Sequence, residues 1–129
     1  MAVDIKGLAE IKILVDHFYL KVRHDDLLGP VFESRIRGHW HPHLQKMYTF
    51  WDSVLFASQT YKGSPFLKHY DLPVSDKHFT QWLHLFNQTI DEFFSGPKAE
   101  EAKNRAYLMS EMFQKKINAY RQSGSQPLL

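Results

Sequence analysis

Apolar residues recur three and four positions apart along most of this chain, and no apolar/polar alternation survives over the length of a strand. Ile11, Leu14 or Val15, Phe18, Tyr19 and Val22 form one stripe, with Lys12, Asp16, Lys21 and Arg23 off it. That spacing predicts a helix over 4–24, weakened at Gly7. Trp40, His43, Met47, Phe50 or Trp51, and Val54 predict a second helix from about His39 to Ser58. Pro42 fits its first turn, where an amide N–H has no intrahelical acceptor to lose. Phe79, Trp82 or Leu83, Phe86, Ile90 and Phe93 or Phe94 predict a third long helix, ending at Ser95-Gly96-Pro97. Ser75 is a good N-cap for it, but His78 in place of Glu or Gln leaves the capping box incomplete. A fourth helix is expected from Lys98 to Tyr120, with Ala102, Ala106, Met109, Met112 or Phe113, Ile117 and Tyr120 inward.

The connections are as informative as the helices. Asp25 to Pro30 closes the first helix, yet Leu27, Leu28 and Phe32 are too apolar for a surface loop. A compact corner of about one turn anchored by Phe32 is expected there, followed by an irregular polar stretch from Ser34 to Gly38. Ser58 to Pro65 reads as a linker, Phe66 to His69 as a single turn, and Asp71-Leu72-Pro73 as its stop. The prediction is an all-α fold in a single domain over 1–129, with a frayed tail at 122–129. A plain four-helix bundle has no need of bulky broken segments such as LLGPVF and PFLKH.

Composition narrows the function classes. Hydrophobic residues make up 43 %, with 10 Phe, 6 Tyr and 3 Trp, so the chain has material for a core or for lining a flat cofactor. Lys and Arg total 16 against 14 Asp and Glu, and no basic tract offers a phosphate-binding stripe, which argues against nucleic acid. The absence of cysteine excludes disulfides, thiolate metal sites and cysteine catalysis. No apolar run reaches the roughly 18 to 20 residues a bilayer demands, and acidic residues interrupt the N-terminal segment where a secretory leader is apolar. A cytoplasmic protein without membrane contact is therefore expected.

Eight histidines invite a metal reading. His17, His24 and His84 fall on or near polar faces. His39, His41 and His43 point in different directions on a helix, and the His39/His43 pair lacks the glutamate of an HExxH zinc motif. His43 differs because it lies on the apolar stripe, where an imidazole must have its nitrogens satisfied. His69 differs because it sits between Pro65 and Pro73, and an axial ligand needs that rigidity. The pattern places His43 and His69 on opposite sides of one bound group, although two unrelated satisfied histidines would give the same periodicity. Tyr19 lies on the buried face of its helix, where its hydroxyl requires a partner.

Five ordered blocks carry a family resemblance: LLGPVF after a helix ending FYLKVR, then WHPHLQKMYTFW, YKGSPFLKH, HFTQWLHLF and NRAYLMSEMF. Together they resemble the truncated haemoglobins over about residues 8 to 120. The glycine pairs that mark two of the three groups of that family are missing, so the resemblance is to the third group. It implies a globin-like two-over-two helical sandwich around haem b. His69 matches the proximal iron ligand, and His78, the rival candidate, lies in the first turn of a long helix. Phe32 matches an aromatic against the porphyrin, Tyr19, His43 and Trp82 match the polar distal residues, and Met47 takes a position that usually carries an aliphatic contact. Phe50 continues the same face. Met47 is more flexible than a branched aliphatic residue, so access to the iron is expected to differ from relatives.

The implied function is binding of oxygen, carbon monoxide, nitric oxide or a similar diatomic ligand, extending to nitric oxide or reactive-oxygen detoxification, by a monomeric protein. A haem enzyme of dioxygenase or peroxidase-like type is the alternative, with Tyr19, His43 and Trp82 as its catalytic residues. No Gly-rich dinucleotide motif occurs, so turnover requires an external reductase. A cofactor-free helical interaction module is the third class, and a purified protein without Soret absorption would identify it.

Overall fold

The computed structural model describes residues 2–59 and 74–123. Its elements are five α-helices: α1 (Leu8–His24), α2 (Leu28–Ile36), α3 (Trp40–Phe56), α4 (Asp76–Phe93) and α5 (Pro97–Ser123). α1 packs on α2, α3 and α4, while α5 packs on α4 and α3. The result is a two-over-two sandwich, α1 with α3 against α4 with α5, and α2 fills the corner between the first two long helices. All six predicted stripe positions of α1 are buried, Leu14 and Val15 alike. In α3 both Phe50 and Trp51 are buried, whereas Val54 is only half-buried and Leu55 takes its place in the core.

On α5 the inward face carries Ala99, Ala102, Ala106 and Ser110, all buried, followed by Phe113 and Ile117. These small side chains, three and four apart, let the α5 backbone approach α4 closely before the larger residues fill the far end. Met112 faces solvent, which settles the choice with Phe113. The helix runs three residues past the expected Tyr120, whose side chain lies outside the described residues together with 124–129.

Two expectations need correction. Residues 4–7 are not helical: Val3 bridges to Phe94, Ser95 N–H donates to Val3 carbonyl oxygen at 3.1 Å, and Ile5 is buried. The Asp4 carboxylate accepts from the Lys98 and Ala99 amides at 3.0 and 2.8 Å, so a residue about 94 positions away caps α5. The corner after Asp25 is also more regular than expected. α2 has nine residues and includes Ser34 to Ile36, because Pro30 stands in its first turn and Asp25 accepts from the Leu27 and Leu28 amides at 3.1 and 2.9 Å. Gly29 is required here: a Cβ would sit 2.9 Å from the Arg23 carbonyl oxygen at the end of α1.

Candidate functional site

A cavity of about 440 Å³ lies where all five helices meet, within the usual range of roughly 300 to 1,000 Å³ for ligand sites. Its polar-headed wall is built by packing from behind. Phe18, fully buried on α1, meets Tyr19, Trp82 and Phe86 edge-on, with ring centroids 4.9, 5.5 and 5.3 Å away. Trp82 stacks on Phe86 at 5.6 Å with only 9° between planes, so the indole has little freedom to turn. Tyr19 is 5 % exposed, and its ring stands perpendicular to that of His43 at 4.9 Å and edge-on to Phe32 at 5.9 Å. His43 also meets Trp40, again perpendicular, at 5.9 Å, and Tyr19 and Trp40 are themselves 6.2 Å apart, so the three rings form one cluster.

Tyr19, Phe32, His43, Met47, Phe50 and Trp82 all line this one cavity. The arrangement brings a phenol from α1, an imidazole from α3 and an indole from α4 onto a largely apolar space. His69 lies outside the described residues. The packing of both Tyr19 and Trp40 on His43 goes beyond what the spacing predicts. Trp40 Nε1 donates to Glu33 at 2.6 Å and the Arg23 guanidinium stacks 4.7 Å from its ring, fixing the indole from α2 and α1. The only forward signal was the place of Trp40 at the head of the α3 stripe.

Charge is confined to the edge of the cavity. Arg35, His39, Lys46 and His78 contribute to its lining, and no carboxylate does so among the described residues. His39 is exposed yet borders the cavity, while His41 and His84 are exposed and outside it. Tyr48, next to Met47 on α3, points away and donates to Asp16. Burial and that carboxylate push its hydroxyl up to about 12, but it has no part in the site. His78 departs from expectation, since it completes the capping box of α4 by accepting the Ser75 amide at Nδ1, 3.0 Å away.

The family model of bacterial-like globins matches residues 4–118. The group 3 truncated haemoglobin ctb of Campylobacter jejuni is 35 % identical over 115 residues, covering 83 % of this chain and 87 % of the relative. The chain is a group 3 truncated haemoglobin. The crystal structure of the group III truncated haemoglobin from Campylobacter jejuni superposes on this globin with a TM-score of 0.85 at 30 % identity, over 91 % of this chain and 95 % of the other.

Globin membership implies a haem cofactor, and the cavity of this globin suits one. A porphyrin is a flat apolar disc with two carboxylates on its edge. The lining here joins aromatic and aliphatic faces to four basic-type side chains and contains no described carboxylate. The helices of the globin are not long and apolar enough to cross a membrane, among the described residues.

Proposed function

We propose that this globin holds haem b in the cavity where its helices meet, with His69 as the iron ligand, and binds oxygen or a related diatomic ligand on the side of Tyr19, His43 and Trp82. The single observation that carries the reading is the convergence of those three side chains, from three helices, on one apolar cavity. Bound haem would supply an iron that takes a diatomic ligand and places partial negative charge on it, with the His69 imidazole as the protein's ligand. The assignment of His69 rests on its match to the family pattern and on the proline-bounded segment that carries it.

The protein's part is orientation, exclusion of water and hydrogen-bond donation. Phe32 and Phe50 supply apolar faces and keep water from the ring. The Tyr19 hydroxyl and the Trp82 indole N–H are donors on rings held by Phe18, so their aim is set before a ligand arrives. His43, packed on both Tyr19 and Trp40, acts as gate or weak donor. Met47 adds a flexible thioether to the approach.

Two strong donors facing a charged ligand slow its release, and slow release suits reaction or sensing better than bulk transport. The proposal therefore extends to nitric oxide or reactive-oxygen detoxification, with electrons from an external reductase, in a monomeric cytoplasmic protein whose lack of cysteine fits a reducing compartment. Each charge-assisted hydrogen bond of about 1.5 to 3 kcal/mol changes dissociation by roughly tenfold or more. Tyr19→Phe and Trp82→Phe are each expected to raise the oxygen dissociation rate by about that factor in stopped-flow measurements. Unchanged rates in both variants would overturn the proposed role of the wall.

A further inference from the structure

α4 begins at the rim of the cavity, and its first turn holds a histidine in an unusual way. Ser75 is the N-cap, and its amide N–H donates to His78 Nδ1 at 3.0 Å, with Ser75 Oγ 3.2 Å from the same nitrogen. A ring nitrogen that accepts from a backbone amide carries no proton. The proton of the neutral ring then resides on Nε2, and the ring's one available lone pair is already engaged by the helix cap. His78 in this state is a donor at Nε2 and cannot serve as a metal ligand, which removes it as a rival to His69.

His78 also lines the cavity, four residues before Trp82 and so on the same face of α4, one turn nearer the helix start. Arg35, His39 and Lys46 border the same space, but all three are exposed, whereas His78 is half-buried and anchored at Nδ1. A donor already fixed in direction loses less freedom on binding than a long exposed side chain does. The group that would meet it is constrained by chemistry, because bound haem would offer a wall N–H two strong acceptors, a ligand on its iron, which the reading above gives to Tyr19 and Trp82, and the carboxylates on its edge.

We propose that His78 Nε2–H is a carboxylate-binding donor of this pocket, holding one propionate of bound haem, with its tautomer selected by the α4 cap. The assignment rests on the haem reading above. It is tested by the rate of haem transfer from the purified ferric protein to excess apomyoglobin, followed by absorbance, in wild type, His78→Glu and His78→Gln. Glutamate at this position completes an ordinary capping box, so α4 stays capped while a like charge faces the propionate. Gln keeps both an acceptor for the Ser75 amide and a donor for the carboxylate. His78→Glu is expected to lose haem about tenfold faster, and His78→Gln to restore most of the difference. A ¹⁵N spectrum of the wild-type ring should show Nδ1 unprotonated and Nε2 protonated. Equal haem loss in all three proteins, each with a normal Soret band, or a ring protonated at Nδ1, overturns the assignment while leaving the haem reading intact. A wild type that takes up no haem would remove both.

Discussion

Trp40 and Tyr48 stand eight residues apart on α3, and each ties that helix to an acid on another one. Trp40 Nε1 donates to Glu33 of α2, and its ring meets both the Arg23 guanidinium and His43. Trp40→Phe keeps a ring beside His43 but gives up that bond, and because Glu33 is exposed and regains water, the expected loss is about 1 kcal/mol in urea denaturation. Trp40→Ala removes the ring as well, for about 3 to 5 kcal/mol. Tyr48 belongs to the alkaline limb of stability. Its hydroxyl is raised from 10.0 to about 12 by burial and by the Asp16 carboxylate, so the folded state favours the protonated phenol. That contribution is complete below about pH 10 and disappears as pH rises through about 12. Denaturation midpoints of Tyr48→Phe should therefore fall less between those values than those of wild type.

At the scale of elements, the start of α5 depends on the opposite end of the chain. Burial raises the Asp4 carboxyl, but the amides of Lys98, Ala99 and Ile5 and the Lys98 charge outweigh it and hold the group below its usual value of 3.8. A carboxyl depressed on folding stabilises above that value, and the stabilisation is lost as pH falls through the lower folded pKa. Asp4→Ala is expected to cost about 1 to 2 kcal/mol at neutral pH and to flatten the acid limb of a stability-against-pH curve, while Asp4→Asn costs less because it still accepts. Gly96 makes room for this contact: its φ is +140° and a Cβ would lie 2.6 Å from Asp4 Cγ, so Gly96→Ala should destabilise by a comparable or greater amount in the same assay. Lys98 secures the junction from the other side, reaching the Leu55 carbonyl at the end of α3 at 2.7 Å and Glu101 at 2.9 Å.

Whole-molecule architecture follows from helical periodicity wherever burial is one-sided. Phe18, Tyr19 and Val22 on α1, or Ala102 and Ala106 on α5, can be read from spacing alone because each long helix has one wet face. The features that escape such reading are contacts between distant segments or roles with unusual residues. Asp4 caps a helix 94 residues on, Glu33 holds Trp40 across a corner, and His78 does the work of Glu in a capping box. α2 escaped for another reason: Gly29-Pro30 has the composition of a break, yet the proline falls where a helix tolerates it and the glycine where two helices nearly touch. Of the candidate site, the sequence pattern made legible which described residues share one cavity. Its rigidity was not legible, because that arises from Phe18, Trp40 and Phe86 behind the wall.

The central claim, a haem pocket with His69 on the iron and a donor-rich wall opposite, has one direct test. Resonance Raman spectra of the ferrous, ligand-free protein should contain an iron–imidazole stretching band in wild type. The band should be absent in His69→Ala and return when imidazole is added to that variant. A His69→Ala protein that retains the band without added imidazole, or a wild type that forms no haem complex, would contradict the account.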